Sequence, residues 1–311
     1  MQPGQLPQLP DSAQTLPQVM NRLSALLGKP NANAGPAREN AAETLADLCV
    51  SALSTGEERV AFFDRLVGTL LPLDHSRVFW GDRMLLLDKN MGFIEDPVFA
   101  DAYNEIKDNK NFNQYKSSHT ECWRLHALAW AAQHALSLDG DFLECGVFKG
   151  DRASLLAKVT DFGRQRKTFY LYDSFAGFSP DYSSADDFPD SPGFFDFAHK
   201  LFSEPGLFEE VTRRFSAYPN VRIVRGVLPD VLAETAPDKI SFMHMDLNSP
   251  RASVACLEVL FDRMVPGGMI IFDDYGWYAY RREKELADVF MAARGYQILE
   301  LPTGQGLLLK R

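Results

Sequence analysis

The sequence has no run of about 18 apolar residues, so no membrane-spanning helix is expected. Its four cysteines (Cys49, Cys122, Cys145, Cys256) stand far apart, without a Cys-x-x-Cys or a Cys/His pairing, which argues against a zinc module and a disulfide framework. The first residues lack a basic stretch followed by an apolar one, so no secretory signal is expected. No block of Lys and Arg stands out, and 42 Asp+Glu against 32 Lys+Arg leave a formal charge of −10. Such a balance is unsuited to gripping phosphate backbones, so no nucleic-acid partner is expected. Together these absences predict a cytoplasmic protein. What is present is a chain of 311 residues, 46% hydrophobic and 12% aromatic, enough for one large α/β domain with an appendage.

Six of the 18 prolines fall within the first 36 residues, so residues 1–38 read as a flexible Pro-rich tail. Residues 39–138 read as a helical N-terminal region. Apolar residues recur at helical spacing from Ala41 to Leu53 and from Val60 to Leu71, where Pro72 ends the pattern. A loop-rich stretch is expected from His75 to about Asn113, then a helix over 122–138 that is apolar nearly all round. From Asp139 the rhythm changes. Phe142–Val147, Thr168–Tyr172, Val221–Val224, Ile240–Met245 and Met269–Phe272 are short apolar runs suited to strands buried on both faces. Helix-like stretches separate them: Ala153–Val159, Leu207–Phe215 and Ala252–Met264. That alternation predicts right-handed crossovers and a parallel sheet. A helix over Arg281–Arg294 stops at Gly295, and Tyr296–Leu301 and Gly306–Leu309 flank Pro302-Thr303-Gly304-Gln305 as an antiparallel hairpin. The prediction for 139–311 is therefore a doubly wound, mostly parallel seven-stranded sheet closed by a terminal antiparallel hairpin, the layout of class I methyltransferases.

In such sheets ligands bind beyond the carboxyl ends of the strands. The first strand runs into Glu144-Cys145-Gly146-Val147-Phe148-Lys149-Gly150-Asp151, whose glycines allow a tight turn before a helix N-terminus. A dinucleotide fingerprint would need a glycine where Phe148 stands. With Glu144 near the ligand a cation is favoured over a pyrophosphate, and S-adenosylmethionine carries an ammonium, a sulfonium and a carboxylate. The alternative is a plain strand–helix turn whose glycines serve packing. Asp173, with Ser174 beside it, follows the second strand, where a carboxylate can accept both hydroxyls of a ribose; the alternative is a helix cap or a solvated loop. Gly226 and Val227 follow the third strand, where they can line an adenine or form an ordinary loop. The fourth strand ends in His244-Met245-Asp246-Leu247-Asn248 and the fifth in Phe272-Asp273-Asp274-Tyr275-Gly276. Three carboxylates at neighbouring tips are costly to hold together unless something positive neutralises them. Asp246, Asp273 and Asp274 are therefore candidate ligands of Mg²⁺ or another divalent cation, with separate caps and ion pairs as the alternative. Asp246 is the first candidate for a catalytic proton acceptor; His244, on the same face of its strand, is the second, although a neutral core histidine is the commoner case. Tyr275, Trp277, Tyr278 and Tyr280 suit either a sugar ring or a hydrophobic cluster. The insertion Gly177–Phe202, rich in Phe and Asp, reads as a substrate lid or a surface loop.

Taken together, Asp141-Phe142-Leu143-Glu144-Cys145-Gly146-Val147-Phe148-Lys149-Gly150, Leu171-Tyr172-Asp173-Ser174-Phe175-Ala176-Gly177, Pro266-Gly267-Gly268 and Phe272-Asp273-Asp274-Tyr275-Gly276 resemble the macrocin O-methyltransferase (TylF/MycF-type) family over roughly Asp139 to Arg311. The resemblance implies a class I fold that binds S-adenosylmethionine and methylates a sugar hydroxyl with help from a divalent metal, commonly Mg²⁺. It places the metal-binding aspartates on Asp246, Asp273 and Asp274, and the ribose-binding acid on Asp173. One departure bears on the acceptor: where the family usually reads Asp-Gly-Asp-Leu-Tyr, this chain has Asp246-Leu247-Asn248-Ser249-Pro250, an amide for the second acid. The expected activity is O-methylation of a sugar hydroxyl in a saccharide or glycosylated metabolite. The alternatives are the same fold methylating a catechol-like or other small-molecule hydroxyl, and a non-catalytic S-adenosylmethionine-binding scaffold. A homo-oligomer is compatible with either.

Overall fold

The computed structural model describes residues 78–82, 84–87, 89–107, 121–189, 191 and 193–311. The Pro-rich stretch 1–38 and the helices expected from Ala41 and Val60 lie outside these residues. The chain divides into two compact units. Of the first (Met1–Trp80, Leu86–Lys89, Gln114–Ser118) only 78–80, 86, 87 and 89 are described; the second (Gly81–Leu85, Asn90–Asn113, His119–Arg311) holds the large sheet and the site at its edge. No helix among the described residues is long and apolar enough to cross a membrane.

The stretch expected to be loop-rich contains regular structure. β1 (Val78–Gly81) and β2 (Met84–Leu87) pair as a two-stranded sheet, and α1 spans Pro97–Ile106. The start of α1 is written locally. The Asp96 side chain accepts the Phe99 N–H at 2.8 Å, and Pro97 takes a helical position that needs no donor. Phe99, Ala102, Tyr103 and Ile106 then form its buried stripe. α2 (Cys122–Ala135) ends at Ala135 rather than Leu138, and it packs against strands of the large sheet.

Five parallel strands follow with their helices: β3 (Asp141–Cys145), α3 (Asp151–Val159), β4 (Phe169–Asp173), α4 (Phe194–Phe202), α5 (Leu207–Arg214), β5 (Val221–Arg225), α6 (Leu232–Thr235), β6 (Ile240–Met245), α7 (Pro250–Leu260) and β7 (Met264–Phe272). α8 (Arg281–Ala292), β8 (Leu299–Glu300) and β9 (Gly306–Leu309) complete the chain. The sheet order is β5-β4-β3-β6-β7-β9-β8, with only the β7/β9 and β8/β9 pairs antiparallel. This is the seven-stranded fold the sequence predicts. β7 begins at Met264, earlier than its apolar run, because Pro266-Gly267-Gly268 extends the strand without adding to its hydrophobicity.

Strand side chains alternate between two covered faces. Leu143, Cys145, Met243, Met245, Ile270 and Phe272 face one core, shared with α7 and α8. On the other face the rings of Phe142, Phe162, Phe169 and Phe242 meet, with centroids about 5–6 Å apart. Glu144 and His244 alternate with Leu143 and Met243, so they share the face of Phe142 and Phe242, where their polar groups need partners.

Candidate active site

The five parallel strands end level because their hydrogen-bond ladder continues one step beyond each. Gly226 N–H donates to the Asp173 carbonyl (2.9 Å), Gly146 to Tyr172 (2.9 Å), Asp246 to Cys145 (2.8 Å) and Asp273 to Met245 (2.9 Å). Residues that follow different strands thus share one edge. Gly146 has φ +89° and its backbone lies so near the neighbouring tip that a Cβ would stand 1.9 Å from the Asp246 carbonyl oxygen. A side chain there is sterically excluded.

Asp246, Asp273 and Asp274 come together as expected, but arginines stand among them. Arg124, on the buried side of α2, sends Nη2 to both the carbonyl and Oδ2 of Asp273 (2.6 Å each) and to Oδ1 of Asp274 (3.1 Å). Arg152, in the first turn of α3, sends Nη2 to Asp273 Oδ2 (3.2 Å) and Nε toward Asp246 Oδ2 (3.5 Å), while Glu121 Oε2 accepts from its Nη2 at 3.1 Å. Asp273 Oδ1 accepts from Gln305 Nε2 (3.1 Å) and faces His244 Nε2 at 3.4 Å. Burial pushes the Asp273 carboxyl up, but the charges of Arg124, Arg152 and His244 outweigh it and hold the group well below the usual carboxylate range. Asp246 and Asp274 are less well compensated. Burial and the neighbouring Asp273 charge, against the pull of Arg152, raise Asp246 to about 7. Burial likewise lifts Asp274 to about 6, against Arg124.

His244 and Glu144 lie inside the sheet rather than at its mouth. They are register partners on neighbouring strands, so their side chains meet: His244 Nδ1 is 2.9 Å from Glu144 Oε1, and both residues are buried. Burial opposes a charged imidazole, yet the carboxylates of Asp273 and Glu144 at its two nitrogens raise His244 to about 10. It is a core histidine, held as a cation. Glu144, expected beside the cofactor, is buried against His244, with no partner for its Oε2.

Asp173 has local work. Its Oδ2 accepts the N–H groups of Val147 and Phe148 (2.8 Å each) and its Oδ1 that of Phe175 (2.7 Å). Phe148 and Phe175 have φ of 49° and 51°, a strained region for such side chains, so the carboxylate clamps two tight turns. Carboxylates offer about four acceptor positions, which leaves one for a ribose hydroxyl. Ser174 closes its own turn, donating to the Gly177 carbonyl (2.8 Å) and accepting from Ala176 N–H (3.1 Å). Gly150 (φ +75°) precedes α3, and a Cβ on Gly226 would lie 2.2 Å from Val231 Cγ1; Val227 is half-buried beside it.

The insertion after β4 is folded. Phe178, Phe188, Phe194, Phe195 and Phe202 cluster with Tyr280 from the turn before α8. Ser183 Oγ donates to Ser249 Oγ at 2.6 Å, and Ser249 in turn to the Tyr182 carbonyl at 3.0 Å, joining this segment to the loop after β6. Tyr275 is buried with its hydroxyl on Asp288 (2.5 Å), whereas Tyr278 is exposed, so the four aromatic residues do not form one sugar platform.

Sequence reasoning missed Arg124, Arg152, Gln305 and Glu283. Two carried a signal: Arg124 is the one Asp, Glu, Lys or Arg in its helix, and Arg152 puts a cation where a helix start favours anions. Glu283, in the first turn of α8, is buried with Oε1 accepting from Ser253 Oγ (2.9 Å) and no partner for Oε2. Burial and the Asp274 charge raise it to about 8.

A divalent ion does not fit this donor set as it stands. Mg²⁺ demands near-octahedral oxygen ligands. Both oxygens of Asp273 already face donors, both nitrogens of His244 face carboxylates, and the Arg152 guanidinium reaches both Asp246 and Asp273. S-adenosylmethionine fits better, since the rim keeps undercompensated carboxylates for a cation and a spare acceptor on Asp173.

Residues 112–297 match the sequence profile of the macrocin-O-methyltransferase (TylF) family. Mycinamicin III 3''-O-methyltransferase of Micromonospora griseorubida is 29% identical over 160 residues, 49% of this chain and 62% of that protein. The match thus spans under two thirds of that relative's length. Among solved structures, the calicheamicin methyltransferase CalS11 is 17% identical, covering 71% of this chain and 93% of its own, with a TM-score of 0.51. The O-methyltransferase NovP is 22% identical, covering 60% and 79%, with a TM-score of 0.49. The likeness to CalS11 shows a class I methyltransferase fold.

Proposed function

Because the chain belongs to the macrocin O-methyltransferase (TylF) family, we propose that it transfers the methyl group of S-adenosylmethionine to a hydroxyl of a sugar, in a saccharide or a glycosylated metabolite. The observation that carries this reading is the meeting of the Asp246 and Asp273 carboxylates, from neighbouring strand tips, beside the side-chain-free turn at Gly146. That edge offers negative charge for a sulfonium and a base for a hydroxyl in one place. The cited relative's acceptor, mycinamicin III, supports a glycosylated acceptor.

When bound, S-adenosylmethionine supplies a methyl group on a sulfonium, open to in-line attack by an oxygen held in register. The chain's own residues do the rest. Asp173 and the glycines shape the turn that receives the cofactor. Asp246, half-buried and raised to about 7, takes the proton from the acceptor hydroxyl, because a base works best when its pKa lies near the working pH. His244 does not serve as that base: both its nitrogens face carboxylates that keep it protonated. Arg124 holds Asp273 and Asp274 in place, and Arg152 holds Asp246 and Asp273. Metal assistance, which the family resemblance implies, forms no step of this reading.

The test is transfer of labelled methyl from S-adenosylmethionine to a panel of glycosylated macrolides, nucleotide-linked sugars and catechols, with the product located by mass spectrometry and NMR. A methyl ether on a sugar oxygen is expected. Methylation of catechols alone, or cofactor binding without transfer to any member, overturns the reading.

A further inference from the structure

We propose that the Arg152 guanidinium stands in for a divalent cation between Asp246 and Asp273, so that this chain holds no Mg²⁺ at its acid cluster and works without one. The proposal rests on reading this edge as the methyl-transfer site.

The geometry carries it. A metal chelated by the tips of β6 and β7 would sit between the carboxylates of Asp246 and Asp273. Arg152 reaches both, with Nε 3.5 Å from one and Nη2 3.2 Å from the other. The guanidinium is held from the far side by Glu121 Oε2 at 3.1 Å, and its backbone is carried by the turn that Asp173 clamps. It is therefore placed by the same loop that shapes the cofactor side of the edge. A planar guanidinium presents several donors in fixed directions and suits the bridging of two carboxylates; a lysine ammonium at this position would not.

The surrounding groups agree. Arg124 takes the remaining side of Asp273 and one oxygen of Asp274, so two fixed positive charges already serve three carboxylates. Asn248 donates its amide to Asp246 Oδ1 at 3.3 Å, where a fourth carboxylate would have raised the demand for a doubly charged ion. His244 sits between two carboxylates, with Nδ1 2.9 Å from Glu144 Oε1 and Nε2 3.4 Å from Asp273 Oδ1. In function the guanidinium supplies fixed positive charge between Asp246 and Asp273, which leaves proton removal to Asp246.

The experiment titrates MnCl₂ into the full-length chain with S-adenosylhomocysteine present, reading free Mn²⁺ by electron paramagnetic resonance. No acceptor is needed, so the result stands whether or not the methyl-transfer reading fails. Wild type is expected to leave free Mn²⁺ unchanged up to about 1 mM, the weak end of protein sites for hard cations. Arg152→Gln is expected to gain one site at least about tenfold tighter, and Arg152→Lys an intermediate one. One Mn²⁺ bound to wild type below about 0.1 mM and lost in Asp273→Asn overturns the proposal, and this wild-type titration decides even if Arg152→Gln fails to fold. Where an acceptor is found, transfer by wild type withstands chelation; abolition by EDTA with rescue by Mg²⁺ also overturns it.

Discussion

Replacing Asp173 by Asn separates two duties that its position assigns to the same carboxylate. Three backbone N–H groups, of Val147, Phe148 and Phe175, bond to it at 2.7–2.8 Å. Each such bond to an ionised group contributes about 1.5–3 kcal/mol in favourable cases. Asn retains one acceptor oxygen. Aimed at Val147 and Phe148 it loses the bond to Phe175 and turns an amide donor against that donor. The surviving bonds lose their charge assistance. Asp173 is only half-buried, so water recovers part of the loss, and a destabilisation of about 2–3 kcal/mol is expected. Asp173→Ala should cost more, about 3–4 kcal/mol, because the strained backbones of Phe148 and Phe175 then have nothing to hold them. Urea unfolding with an unchanged slope measures this, and calorimetric titration with S-adenosylhomocysteine on folded protein measures the second duty. If the carboxylate is mainly a clamp, affinity falls by no more than about tenfold. Stability unchanged within about 0.5 kcal/mol, with cofactor binding abolished, would refute the clamp and return Asp173 wholly to the ribose.

Arg124→Met leaves the Asp273 carboxylate buried without its principal cation and should cost about 3–5 kcal/mol, whereas the double variant with Asp273→Asn should recover much of that; a thermodynamic cycle showing simple additivity would contradict the pairing. Stability should also fall as pH rises past about 5. The folded-state pKa of Glu283 lies at about 8 against 4.5 in the free side chain, so between these values the folded state holds a proton that the unfolded state has lost. His244, raised to about 10 from 6.5, acts in the same direction between its own two values. Glu283→Gln, which can still accept from Ser253, should flatten the lower window and gain about 2–4 kcal/mol at pH 8, read from urea unfolding at stepped pH. An unchanged slope there would show Glu283 to be ionised in the folded protein.

The sheet was legible because buried parallel strands are short apolar runs, and the edge because the residues that follow such runs must lie along it. Asp246, Asp273 and Asp274 could be placed together on that argument alone. Their neutralisers could not. Arg124 and Arg152 come from two helices whose rotation over the sheet depends on packing, which no local pattern records. The pairing of Glu144 with His244 was not legible for a related reason: it follows from β3 and β6 being neighbours in register, a property of strand order rather than of either strand. α1 is a different failure, since Asp96-Pro97 is a start signal that local chemistry does announce.

Gln305 ties the terminal hairpin to the acid cluster. It is fully buried and reaches Asp273 Oδ1 from 32 residues further along the chain. β9 follows β8 in sequence but lies between β7 and β8 in the sheet, so β8 has no place to bind until β9 arrives. A molecule folded only as far as β7 therefore has an open sheet edge and an acid lacking one of its donors, and docking of the hairpin as a unit mends both. What the last strands secure is therefore two things at once, a closed sheet edge and the full donor set of Asp273.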